Sequence, residues 1–116
     1  MSTKKEIVIE RVIKQFITNA NKFDVKATLE LFASNAVIDD VSVGDKFKNT
    51  AGVKRYLETF FVGYKTVTKL ESLKVINPHQ ANAHVDFTGN FGHETGGLNV
   101  TINTDGLITA IDAYLD

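Results

Sequence analysis

Near residue 66 the apolar residues of this chain stop recurring at helical intervals and begin to alternate, and they never change back. Before that point Ile9, Val12, Ile13, Phe16, Ile17 and Ala20 form one stripe of a helix. After it Ala83, Val85, Phe87 and Phe91 alternate with Asn82, His84, Asp86, Thr88 and Asn90, the period of a half-buried strand. Helices first and strands afterwards exclude a regular βαβ alternation and point to an α+β domain.

The punctuation supports three helices. Thr3 followed by Glu6 has capping-box spacing at the start of the first helix, and Asn19, Asn21 and Lys22 end it. Asp24 is a natural N-cap for a second helix whose Ala27, Leu31 and Phe32 face a core and which ends at Phe32-Ala33. Ala36-Val37-Ile38 is too short for a helix and reads as a strand closed by Asp39 and Asp40. Thr50 caps a third helix carrying Val53, Leu57, Phe60, Phe61 and Tyr64, with Gly63 near its end. Strands follow over 67–76, 82–91, 98–103 and 107–115, joined by Asn77-Pro78-His79, a glycine-rich connection over 92–97, and the Thr104-Asp105-Gly106 turn. The expected fold is one domain over 1–116: three N-terminal helices packed on a strongly curved, mostly antiparallel sheet. Such a cone leaves an internal pocket at its wide end.

Composition closes several routes. Thirteen basic residues against fourteen acidic give a net charge of −1 with no basic block, so no nucleic-acid partner is expected. Cysteine is absent, which removes disulfides and thiolate chemistry. No apolar run approaches the ~20 residues that cross a bilayer, so no membrane partner is expected. The first eleven residues lack a leader's apolar core and cleavage site, and a cytoplasmic location is the expectation. The glycines form no phosphate-cradling pattern, and no serine sits in a nucleophile elbow.

Asp24, Leu31-Phe32-Ala33, Ala36-Val37, Asp40, Gly44, Gly52, Tyr56 and Asp105-Gly106-Leu107-Ile108 occur in an order that resembles the nuclear transport factor 2-like superfamily. The branch is the one holding SnoaL-like polyketide cyclases and ketosteroid isomerases. The resemblance implies a pocketed cone, often dimeric through its sheet face. Asp40 falls where the isomerase family carries its proton-abstracting aspartate. The family's oxyanion tyrosine falls at Phe16 and its protonated aspartic acid at about Leu98, both without a donor. One preorganised donor is commonly worth ~3 kcal/mol, so ketosteroid isomerase activity itself is not expected.

Asp40 is therefore the candidate catalytic base, and the other reading is that Asp39 and Asp40 cap a turn or solvate a strand end. Asp112, the one charge in the apolar run 108–115, ranks second; its alternative is an outer, dimer-forming face. Phe16, Tyr56, Phe60 and Leu98 are the candidate ligand-binding positions. His84 and Asp86 share a strand face at a spacing that permits a hydrogen-bonded pair or half a metal site, with no third ligand at a recognisable interval, so no metal is expected. His93, in the glycine-rich connection with Glu94, lines the cavity mouth or stands exposed. Enolisation of a carbonyl needs a base and a donor, so no cofactor is implied. The expectation is a small apolar ligand, a homodimer, and an isomerase or cyclase acting through an aspartate. The alternative is an interaction module without chemistry.

Overall fold

The computed structural model describes residues 8–116. Three helical segments lie on a six-stranded mixed sheet. Helix α1 (Val8–Asn21) buries the whole expected stripe, Ile9, Val12, Ile13, Phe16, Ile17 and Ala20, against strands described below. The Thr3–Glu6 capping box lies outside the described residues. At the other end of α1, the Asn21 side chain accepts from the Thr68 amide (2.7 Å) and donates to its carbonyl (2.9 Å). That two-point bond fixes the helix end to the sheet.

Asp24 caps α2 (Val25–Leu29) as its sequence position predicts, accepting from the Ala27 amide at 3.0 Å. The helix does not reach Phe32-Ala33. Those residues open strand β1 (Phe32–Asp40), three times the length expected from Ala36-Val37-Ile38. The reason is tertiary: the Ile108 amide donates to the Leu31 carbonyl, and Phe32 pairs in parallel with Ile108. A parallel partner more than seventy residues away leaves no local trace in the sequence.

Beyond β1 the chain turns through Val41 to Gly44, where Gly44 has φ +70°, into a strand that sequence alone does not reveal, β2 (Asp45–Lys48). Helix α3 (Asn49–Tyr56) follows directly. Thr50 is not its cap: the helix begins one residue earlier, after an extended Lys48 that makes no side-chain cap. Gly52 permits the packing here, because a Cβ would sit 2.9 Å from the Phe47 carbonyl carbon. The helix then widens into a π-helical turn over Leu57–Val62, closed by Gly63 donating to the Glu58 carbonyl at 2.9 Å.

Strands β3 (Val67–Asn77), β4 (Gln80–Gly89), β5 (Gly92–Ile102) and β6 (Ile108–Leu115) form an antiparallel meander. The sheet order is β2-β1-β6-β5-β4-β3, with β1 and β6 the parallel pair. The segment 92–97 is strand, not a loop. Its glycines serve close packing: the Tyr114 ring lies across Gly97, in the space a Cβ would need. Inner-face residues Ile38, Ile111, Val100 and Ala81 stand in register across four strands and are all buried. No described helix is long and apolar enough to cross a membrane.

Candidate functional site

The aliphatic core does not fill the whole space between helices and sheet. At the end of the sheet where β1 and β6 finish and β3 and β5 begin, a cleft of about 250 Å³ remains. Strand parity decides which side chains reach it. Asp40, Leu115, Glu94 and Phe87 come from the inner faces of β1, β6, β5 and β4. Tyr56, Phe60, Phe61 and Tyr64 come from α3 and its continuation. Consecutive Phe60 and Phe61 both reach the cleft from the π-helical turn, where successive side chains are separated by a smaller rotation than in an α-helix. Two other surface depressions, beside β2 and between α2 and α3, are more open and edged by Lys and acidic side chains. Apolar walls with a few convergent polar groups distinguish the first.

Asp40 is the polar focus. It is 6% exposed and accepts three hydrogen bonds: the Tyr56 hydroxyl on Oδ2 (2.6 Å), and the Ser42 amide (2.9 Å) and hydroxyl (2.5 Å) on Oδ1. A carboxylate offers about four acceptor positions, so one is left, on Oδ2. Tyr56 is itself buried, and burial, then the charge of Asp40 and its hydrogen bond, push the phenol well above its ordinary value. It is therefore a fixed donor rather than a second titrating group. The Asp40 carboxylate closes the 41–44 turn and also lines the cleft.

The other expected site residues separate into two groups. Tyr56 and Phe60 line the cleft. Phe16 and Leu98 do not. Phe16 packs edge-to-face on Phe32 and Phe61, 5.9 and 6.1 Å away, and Leu98 lies buried between Ala83 and Ala113. Both belong to the aliphatic and aromatic filling behind the cleft.

Asp112 is not a cleft residue. It pairs in register with Asp39 and Asn99 on the outer face and is exposed, because its parity is opposite to that of Ile111 and Ala113. His84 and Asp86 do not bond to one another. His84 lies between Glu71 (3.0 Å) and Asp116 (2.9 Å), while Asp86 bonds His93 (2.8 Å). Adjacent antiparallel strands and the chain's last residue supply nearer partners than the same-strand neighbour two positions on.

Ser42, Thr66, Phe87 and Phe91 line the cleft without having been singled out as ligand-binding residues. Phe87 carried a signal, since its parity matches Val85. Ser42 carried one too: a hydroxyl two residues after an aspartate at a turn is a local partner for that carboxylate.

No family model matches the sequence, and no curated relative matches it. Solved structures do. A Mycobacterium tuberculosis protein in complex with estradiol-17beta-hemisuccinate superimposes with TM-score 0.85 at 18% identity, over 96% of this chain and 95% of that one. A protein of unknown function with a cystatin-like fold from Methylobium petroleophilum gives TM-score 0.83 at 18% identity, over 98% and 79%. An epoxide hydrolase/cyclase-like enzyme of pyran ring formation in the polyether salinomycin gives 0.81 at 17%, over 93% and 90%. The chain thus has the cystatin-like, nuclear transport factor 2-like fold, in the company of ketosteroid isomerase-like and polyketide cyclase structures.

Proposed function

We propose that this chain is a SnoaL-like small-molecule-binding protein that takes an apolar, carbonyl-containing ligand into the cleft and isomerises or cyclises it, with Asp40 as the acid-base group. The observation that carries this reading is the Asp40–Tyr56 pair, 2.6 Å apart, in a cleft whose walls carry the rings of Phe60, Phe61, Tyr64, Phe87 and Phe91. One acceptor position on Asp40 Oδ2 carries no hydrogen bond among the described residues, which supports a role in taking a proton from a ligand. Tyr56 and Ser42 hold the carboxylate in one orientation while it does so. Aromatic walls supply the binding area, and neighbours of the same fold hold a steroid ester or act in ring formation.

A second reading, a binder without chemistry, is favoured by the three donors already on Asp40 and by the absence of a hydroxyl or acid at Phe16 and Leu98. Thermal-shift screening of apolar ketones with wild type and Asp40→Asn separates the two. Ligands found this way are then followed for isomerisation or cyclisation. Turnover in wild type that falls at least about a hundredfold in Asp40→Asn supports the base; one oriented acid-base group is worth about that much. Equal binding by both proteins with no turnover leaves the binder.

A further inference from the structure

The charge balance of the cleft restricts what it can hold, and this step rests on reading it as the ligand site. Its lining contains two carboxylates, Asp40 and Glu94, and no Lys, Arg or His. Lys65, between the lining residues Tyr64 and Thr66, is not part of the wall. No ion pair reaches either carboxylate among the described residues. Asp40 at least has three hydrogen-bond donors; Glu94 has none among these residues. A cleft with low-dielectric walls and charge of one sign concentrates its field and repels ligands of that sign.

The mouth adds an aromatic surface beside that charge. Tyr64 and Phe91 are 44% and 42% exposed, and their ring centroids lie 6.1 Å apart at an interplanar angle of 62°. They are held together by backbone: the Asn90 amide donates to the Tyr64 carbonyl at 2.8 Å, tying the β4–β5 turn to the end of α3. Phe60 continues the surface inward, 5.7 Å from Tyr64 and edge-on to it. Ring faces present negative potential, and an ammonium within about 6 Å of such centroids is attracted by each. A cleft lined by an exposed carboxylate and two exposed rings suits an organic cation better than a neutral hydrocarbon.

We infer that the mouth of the cleft, formed by Glu94, Tyr64 and Phe91, is a subsite for an organic ammonium group, so that the apolar, carbonyl-containing ligand also carries a cationic nitrogen. The cationic nitrogen sits at the mouth with Glu94 as its counter-charge, and the apolar body extends inward along Phe60. No bond is made or broken in this subsite. Carboxylate-bearing ligands are excluded by the same field.

Three probes of nearly one shape test this: phenyltrimethylammonium, its uncharged isostere tert-butylbenzene, and 4-tert-butylbenzoate. Dissociation constants come from amide chemical shifts of isotope-labelled protein, with wild type and Glu94→Gln. The expected result is that the ammonium binds at least about tenfold more tightly than tert-butylbenzene, with no binding of the benzoate. Glu94→Gln should weaken the ammonium about fivefold and leave tert-butylbenzene unchanged. Equal or tighter binding of tert-butylbenzene overturns the cation subsite while leaving the cleft a ligand site. A Glu94→Gln variant that weakens both probes alike overturns it too. If no probe shifts the cleft residues, the cleft reading falls with it.

Discussion

On the inner face of the sheet Asp40 is 6% exposed and holds three hydrogen bonds; on the outer face, one strand away, Asp112 stands in water. The two carboxylates belong to neighbouring parallel strands whose register pairs Asp40 with Ala113 and Asp39 with Asp112. One residue of parity separates them. The outer row runs Lys46, Asp39, Asp112, Asn99, Asn82 and Lys74 across all six strands, polar at every position. The inner rows are apolar except at the sheet's end, where Asp40 and Glu94 border the cleft. What the contrast teaches is that a charge acquires chemical meaning here only where parity turns it inward and the aliphatic filling stops.

The comparison breaks first on stability. Ile38 lies two residues before Asp40 on the same inner face and is fully buried. Ile38→Ala is expected to cost about 3 kcal/mol in urea unfolding, lost transfer energy plus a cavity. Asp112→Ala on the outer face should change stability by less than about 0.5 kcal/mol. Comparable losses at the two positions would mean that the outer face is covered and that the assignment of faces is wrong.

A smaller effect comes from the donor to Asp40. Tyr56→Phe removes the phenol and leaves a buried carboxylate oxygen short of a partner, a cost of about 1–3 kcal/mol. The same bond has a pH signature. Burial first, then Asp40, raise the Tyr56 value in the folded protein above its unfolded value near 10. A raised folded value means the associated stability is fully present below about pH 10 and is lost as pH climbs from there through the raised value. Ultraviolet titration of phenolate should show a late step above the ordinary tyrosine range, and that step should vanish in Tyr56→Phe. A wild type without that late step would remove the buried pair from the account.

Much of the architecture was legible in the chain because local rules and tertiary demands agree. The α1 stripe is buried residue for residue, Asp24 caps α2, and the Asp105-Gly106 turn stands between β5 and β6 with Gly106 at φ +80°. The failures have one cause in common, a partner distant in sequence. Phe32-Ala33 fit a helix until β6 arrives in parallel; β2 is four residues long and exists by pairing with β1; Gly96 and Gly97 look like a loop until Tyr114 packs across them. The site was half legible for the same reason. Asp40, Tyr56 and Phe60 lie close in sequence and meet through one hairpin and one helix. Phe91 and Glu94 join them only when the sheet has closed, and Phe16 and Leu98, placed in the pocket by resemblance, fall into the filling behind it.

The smallest expected effect lies on the outer face, where His84 bridges two carboxylates. Its Nε2 is 2.9 Å from Asp116 and its Nδ1 is 3.0 Å from Glu71. Carboxylates only accept, so both ring nitrogens must donate for both contacts to form, and the bridge requires the imidazolium. The hydrogen bond His84 donates to Asp116 is the main cause of its raised value, with Glu71 adding less; Thr95 and then His84 lower that of Asp116. The two signs bracket a window. The histidine contribution is present below its unfolded value near 6.5 and is lost as pH rises through the raised value. The aspartate contribution is present above the ordinary 3.8 and is lost as pH falls through the lowered value. Between those limits the bridge is complete, yet every group in it is exposed, so solvent screening keeps its effect on stability slight. The readout is therefore the ring itself: the His84 carbon-bound proton resonances should titrate above the ordinary histidine range. Asp116→Asn should bring them down further than Glu71→Gln does. An ordinary titration in wild type, or the reverse order of the two variants, would show that the strand end is not held by this bridge.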